Sequence, residues 1–162
     1  MKRRLVSKRI TVPGNIARFC GDFTAGKFYE AHEHLEEIWQ QERGPVRSLY
    51  QGLIQAAAAY VHLSRGNYRG ARRLLQTSLG YLAPYRPGPV MGFDVEGIAL
   101  ALEAALATLL ELGPERAGKF PMDLRPTMAC DMTALSGEAV RFRAWGFSED
   151  GTALTEEITV AE

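Results

Sequence analysis

The sequence has little cysteine, and its two cysteines, Cys20 and Cys130, lie far apart. They form no Cys-x-x-Cys motif, so neither a disulfide framework nor a thiolate zinc site is indicated. A long apolar run is also missing, because the most apolar stretch, residues 98–112, includes Glu103 and Glu111. That stretch is shorter than the ~20 residues that a membrane span requires. We therefore expect no membrane partner and a location in the reducing cytoplasm.

The chain carries no excess of charge, since 19 lysines and arginines balance 19 acidic residues. No overall field therefore draws it to nucleic acid or to an anionic membrane. The arginines within residues 65–73 have no interleaved aromatic platform for stacking bases, so we interpret them as a solvated helix face and expect no nucleic-acid partner. The basic residues 1–12 precede no long apolar segment, and we expect a flexible N-terminus there.

Helical periodicity dominates residues 13–113. With 46% apolar residues, the chain can build the core of one domain. Turn or cap signals at Gly44–Pro45, Gly66–Asn67 and Asp94 separate the later helices. Because short connections make successive helices antiparallel, we predict a mainly α fold, an antiparallel bundle of about five helices.

Residues 114–162 are predicted to be an extended C-terminal segment. Apolar and polar residues alternate over 140–147 and again over 153–160, with a turn signal at 149–151. This pattern predicts a β-hairpin. We expect the segment either to cover the bundle or to pack on a partner subunit, which makes a homo-oligomer one expected assembly.

The second helix, over residues 28–39, concentrates the titratable side chains. With residues roughly 100° apart around a helix axis, its apolar residues share one arc that faces the core. His32 and Glu36, at i and i+4, lie side by side on the shoulder of that arc, with Glu33 further round. His34 projects from the opposite side.

An imidazole and a carboxylate at this spacing can bind one divalent cation. Alternatively, His32 and Glu36 form a hydrogen-bonded pair that satisfies two half-buried polar groups. The spacing is not the His-Glu-x-x-His of zinc proteases, so the residues alone leave both interpretations open.

The third helix supplies further polar groups. It is apolar over a wide arc, which predicts a central position among the other helices. Gln51, Gln55 and His62 form a narrow polar stripe on it, and buried polar groups need partners. We therefore predict that His62 joins His32 and Glu36 as a third metal ligand.

Three segments together resemble the bacterial and archaeal domain-of-unknown-function 309 family: FYEAHEHLEEIW from Phe28, LYQGLIQ from Leu49 and HLSRGN from His62. The family marker, His-x-x-x-Glu-x-x-Trp/Tyr, is matched by His32, Glu36 and Trp39. The resemblance covers residues 15–81. It implies an all-helical fold and a metal site at His32 and Glu36, with no settled reaction, and His62 is not part of the marker.

Two functions follow as hypotheses. The first is a metal-dependent hydrolase of a small molecule, in which His32, Glu36 and His62 hold zinc, manganese, iron or nickel and Glu33 acts as general base. The second is a non-catalytic helical interaction module, in which the same His, Glu and Gln side chains form a structural hydrogen-bond network. The residues do not decide whether the protein is an enzyme.

Overall fold

The computed structural model describes residues 10–142 and 158–161 of the chain. It confirms the mainly α fold and the helical bundle. The helices and strands, in chain order, are β1 (Ile10–Pro13), α1 (Gly14–Thr24), α2 (Phe28–Gln41), α3 (Arg47–Ser64), α4 (Tyr68–Leu82), α5 (Val95–Arg116), α6 (Met132–Phe142) and β2 (Ile158–Ala161). Single 3₁₀ turns follow α4 and α5.

Helix boundaries lie where the capping residues predict them. Asn67 and Asp94 precede α4 and α5, and their side chains accept hydrogen bonds from Gly70 N and Gly97 N. Helical backbone in α5 is interrupted at Gly113, whose φ of 72° lies in the left-handed region. The predicted end of this helix is therefore where its regular backbone stops.

Helix α3 is the centre of the bundle, as its wide apolar arc predicts. It packs against α2 on one side and α4 on the other. Gly52 lets α4 approach closely, and Ser78 of α4 donates a hydrogen bond to the Gly52 carbonyl over 2.7 Å. Ser78 is fully buried, so this bond also satisfies a polar group that would otherwise be costly to bury.

Aromatic rings close one end of the bundle. Phe23 packs edge-on against Phe28 and Tyr60, with centroids 5.1 and 5.4 Å apart. Tyr60 also meets Phe120 edge-on and donates a hydrogen bond to the Leu124 carbonyl over 2.7 Å. Burial raises the pKa of Tyr60. These contacts tie the segment after α5 back onto α3.

A sixth helix, α6, is present where the fading helical period indicated none. Asp131 Oδ1 accepts hydrogen bonds from the backbone of Thr133 and Ala134 at 3.0 and 3.2 Å, which caps its first turn. The predicted first strand is corrected at its start, because residues 140–142 continue this capped helix. The rest of that strand and the predicted turn lie outside the described residues.

The two strands pair with each other in parallel. Residues 10–13 are aligned with residues 158–161, so Val12 pairs with Val160. Residues 158–160, the end of the predicted second strand, are therefore in a β-strand. That strand pairs with β1 and not with the first strand of the predicted hairpin. Three residues of the predicted flexible N-terminus, 10–12, belong to this pair. No helix within the described ranges is long and apolar enough to cross a membrane.

Replacing Gly52 tests the close packing of α3 on α4. A Cβ at Gly52 would lie 2.9 Å from two atoms of the Leu82 side chain, which is fully buried and cannot move aside freely. We expect Gly52→Ala to lower the free energy of unfolding by about 1–3 kcal/mol. Urea denaturation followed by circular dichroism measures this change.

Gly80→Ala is the matched control. Gly80 lies in α4, and a Cβ there would meet no atom within 4 Å. We expect it to raise the free energy of unfolding by up to about 1 kcal/mol, because alanine loses less backbone entropy in a helix. Equal stability of Gly52→Ala and the wild type would contradict the close packing of α3 on α4.

Candidate functional site

His32 and Glu36 lie one helical turn apart on α2, at the edge of the core. The apolar neighbours Ala31 and Leu35 are fully buried against the bundle, and this fixes the rotation of the helix. His32 Nε2 and Glu36 Oε2 are 3.7 Å apart, and the two side chains are 27% and 42% exposed. The pair is therefore close and reachable from solvent, but too far apart for a direct hydrogen bond.

A groove of about 200 Å³ lies between α2 and α3 beside this pair. We call it the α2–α3 groove. Its lining consists of Tyr29, His32, Ala58, Val61, His62 and Arg65. The small side chain of Ala58 lets the two helices approach closely. The groove thus brings His32 and His62, predicted as partners from different helices, to one surface.

Tyr29 covers one side of His32. The two rings are stacked, with centroids 6.2 Å apart and planes inclined by 26°. A hydrogen bond to Glu33 raises the pKa of the Tyr29 hydroxyl, because the neighbouring carboxylate disfavours a second negative charge. Glu33, the predicted general base, is therefore held next to Tyr29 at the edge of the α2–α3 groove.

His62 is held by the cap of the next helix. Its Nδ1 lies 2.9 Å from Asn67 Nδ2, and Asn67 Oδ1 accepts a hydrogen bond from Gly70 N over 3.2 Å. The capping bond fixes which end of the Asn67 amide carries oxygen, so Nδ2 donates and His62 Nδ1 accepts. A neutral His62 therefore carries its proton on Nε2.

Gly70 completes this clamp on His62. A Cβ at Gly70 would lie 2.6 Å from His62 Nδ1 and 2.8 Å from Cε1. The imidazole therefore packs directly on the first turn of α4, in space that any other residue would fill. Position and tautomer of His62 both depend on the turn that joins α3 to α4.

The three predicted metal ligands divide into a pair and a separate residue. His32 and Glu36 are neighbours, whereas His62 reaches the same groove from α3 with its Nδ1 engaged by Asn67. Across residues 10–142 and 158–161, no group of three or more His, Cys, Asp or Glu side chains is arranged to hold a metal ion. Metal binding and the roles of these residues stay predictions.

Helices α2 and α3 each carry one buried polar atom that lacks a partner within the described part of the chain. His32 Nδ1 and Gln55 Oε1 are buried and have no hydrogen-bond partner among the described residues. Gln55 lies one turn before Ala58, which lines the α2–α3 groove with His32. The predicted polar stripe on α3 therefore supplies an acceptor on the helix that faces His32.

His34 lies on the other side of α2, as its spacing predicts. Its Nε2 is 3.1 Å from Asp22 Oδ2 of α1. Glu37, also on that side, accepts a hydrogen bond from Asn15. Both residues therefore join α2 to α1 and take no part in the α2–α3 groove.

The two cysteines face a different groove. Cys20 and Cys130 are free, and both line a cavity between α1 and the segment before α6. Burial raises the pKa of the Cys20 thiol to about 11 and that of the Cys130 thiol to about 12. Both thiols therefore stay protonated near neutral pH, which makes them poor nucleophiles.

Sequence reasoning assigned no site role to Tyr29, Arg65, Asn67 or Gly70. The position of Tyr29, three residues before His32, placed it on the same face but did not predict ring stacking. Asn67 was identified only as a cap. The His62-to-Gly70 contact could not be found from spacing, because it depends on how sharply α4 turns back on α3.

Gly70→Ala tests the clamp on His62. The new Cβ would displace the imidazole and break its hydrogen bond with Asn67, so we expect the free energy of unfolding to fall by about 1–2 kcal/mol. Imidazole ¹⁵N NMR should also change, from protonated Nε2 with unprotonated Nδ1 to a mixture of tautomers. Gly80→Ala, on the same helix, should leave the His62 signals unchanged. Unaltered His62 signals in Gly70→Ala would contradict the clamp.

Comparison with known proteins gives a family match for part of the chain and no reaction. Residues 16–74 match the family described as Domain of unknown function (DUF309). This confirms the resemblance inferred from the His32, Glu36 and His62 segments. The matched residues run from α1 into α4, so they include both sides of the α2–α3 groove.

Two curated relatives share part of this region. The uncharacterized protein YpuF of Bacillus subtilis (strain 168) is 39% identical over 69 residues, which are 41% of this chain and 40% of that protein. An uncharacterized protein of Aquifex aeolicus (strain VF5) is 32% identical over 87 residues, 53% of this chain and 26% of its own length. The chain thus spans less than half the length of these relatives. No solved structure matches the chain.

Proposed function

We propose that the region matching the family of unknown function, residues 16–74, binds one divalent cation through His32 and Glu36 at the α2–α3 groove. The observation that carries the proposal is the 3.7 Å separation of His32 Nε2 and Glu36 Oε2. Two ligand atoms that are each ~2.1 Å from a tetrahedral ion lie about 3.4 Å from each other. The distance between His32 Nε2 and Glu36 Oε2 is thus too long for a hydrogen bond and close to the separation of two atoms that bind the same cation.

The protein surroundings of His32 support this use of Nε2. When Nε2 is the ligand, the imidazole proton is on Nδ1 and needs an acceptor. Gln55 Oε1, on the neighbouring helix α3, is buried and has no hydrogen-bond partner among the described residues. The same is true of His32 Nδ1. A hydrogen bond from His32 Nδ1–H to Gln55 Oε1 would satisfy both atoms and orient His32.

Hydrolysis of a small molecule is the reaction that we propose for this site. A bound divalent cation lowers the pKa of a water ligand towards neutrality. Glu33, which is hydrogen bonded to Tyr29 of the groove lining, is the carboxylate that we assign as general base. His62 Nε2–H and the Arg65 guanidinium line the same groove and offer donors to a substrate oxygen. Mixed nitrogen and oxygen ligands suit zinc, manganese, iron or nickel.

The alternative function, a non-catalytic helical interaction module, is favoured by one observation. His62 Nδ1 is hydrogen bonded to Asn67 at 2.9 Å, as a residue in a structural network would be. His62 therefore has a structural role under either function. The same explanation fits His32 and Glu36 less well, because their closest nitrogen and oxygen atoms do not hydrogen bond.

Metal analysis of purified variants tests the proposal. We expect the wild type to take up one equivalent of zinc, manganese, iron(II) or nickel, and His32→Ala and Glu36→Gln to weaken binding by at least tenfold. His34→Ala is the matched control, since it removes an imidazole from the same helix outside the groove. Plasma mass spectrometry after equilibration with each ion, with circular dichroism to verify folding, measures the effect.

Two outcomes would overturn cation binding. The first is folded wild-type protein that takes up none of these ions, which would favour the interaction module. The second is equal loss of metal from His34→Ala and His32→Ala, because the ion would then bind histidines without regard to position. His62→Ala should retain the cation at His32 and Glu36 if it remains folded.

A further inference from the structure

The arginines of this chain are unevenly distributed, although its net charge is zero. Residues 43–93 contain seven arginines and no aspartate or glutamate, whereas the acidic residues lie before and after this segment. The segment includes α3 and α4. One part of the bundle is therefore strongly positive, and its local field differs from that of the whole protein.

Two of these arginines have clear structural contacts. Arg47 stacks over the Trp39 ring at 3.9 Å, and its Nε donates to the Glu42 carbonyl over 3.0 Å. Arg86 makes ion pairs with Glu96, at 2.6 Å, and with Glu103. These contacts hold the ends of α2 and α5 in place, so they account for both guanidinium groups.

The arginines around the start of α4 differ. Within the part of the chain that the structure describes, Arg65, Arg69, Arg72 and Arg73 form no ion pair. The side chains of all four are exposed. Four like charges within nine residues repel one another, and a bound anion would relieve that repulsion.

Two of the four arginines line a cavity, which we call the arginine groove. It has a volume of about 530 Å³ and is lined by His62, Asn67, Arg69, Gly70 and Arg73. Arg69 and Arg73 are at i and i+4, so their guanidinium groups extend from the same face of α4. Arg72 lies on this helix too, but it does not line the groove.

The clamp on His62 places its ring in the lining of the arginine groove. His62 Nδ1 accepts from Asn67, so the neutral ring presents its proton on Nε2. Gly70 has no side chain to fill the cavity and allows the ring to lie against α4. The described lining of the arginine groove thus contains two permanent cations and one imidazole, and no carboxylate.

We propose that the arginine groove binds the phosphate group of a small phosphorylated molecule. Planar guanidinium groups donate paired hydrogen bonds that match phosphate oxygens, and the volume is within the range of small-molecule sites, roughly 300–1,000 Å³. Apart from the His62 imidazole, its lining contains no aromatic ring, so a nucleic-acid strand would find no run of stacking platforms there. The inference does not depend on a cation at His32 and Glu36.

NMR titration of the ¹⁵N-labelled full chain with inorganic phosphate and pyrophosphate tests this inference. Chelator is present throughout, and sodium chloride keeps the ionic strength constant. We expect saturable amide shifts concentrated at residues 62–73, with pyrophosphate binding more tightly than phosphate. The double variant Arg69→Gln/Arg73→Gln should bind at least tenfold more weakly. Arg72→Gln, the matched control, should bind within about twofold of the wild type.

Three results would overturn the phosphate site. The first is the absence of saturable amide shifts with phosphate and pyrophosphate. The second is that Arg72→Gln weakens pyrophosphate binding as much as the double variant does. The third is that a single-stranded oligonucleotide or anionic phosphatidylserine vesicles bind more tightly than pyrophosphate, through all four arginines. The last two would indicate an extended basic surface. The His32→Ala variant distinguishes the phosphate site from the proposed cation site. We expect it to bind phosphate as the wild type does, even if it no longer binds metal. Loss of phosphate binding in this variant would contradict the independence of the arginine groove.

Discussion

Burial of α3 between α2 and α4 is the constraint on which the candidate sites depend. The helix can be surrounded because it is apolar over most of its surface, and Gly52 permits α4 to pack closely on it. Once α3 is enclosed, the few polar groups on it can reach only the seams with its neighbours. His62 consequently lies where the contact of α3 with α2 meets its contact with α4.

His62 links the two sides of the bundle. Its ring lines both the α2–α3 groove and the arginine groove, and a single asparagine determines its tautomer. The same Asn67 side chain caps α4 and therefore contributes to folding and to site geometry together. Because of this double role, the short turn from Arg65 to Asn67 helps to position a side chain that lines two neighbouring cavities.

Much of the fold was predictable because its signals are local. Capping by Asn67 and Asp94, and the helix break at Gly113, depend on backbone chemistry within a few residues. The pairing of His32 with Glu36 was predictable for the same reason, since both side chains belong to one helix. Helix α6 was missed because the cap at Asp131 was not identified and the alternation in residues 140–147 was interpreted as a strand. The parallel pairing of β1 with β2 was missed because it joins segments almost 150 residues apart.

By itself, the sequence determined the helical segments, the caps, the buried position of α3 and the neighbouring placement of His32 and Glu36. These properties follow from helical periodicity and from contacts between residues at most four positions apart. Only the tertiary structure decided that His62 is clamped by Asn67 and Gly70, and that Arg69 and Arg73 share a cavity from which Arg72 is excluded. The reason is physical: such contacts depend on the angle and separation of packed helices, and many distant side chains set these jointly.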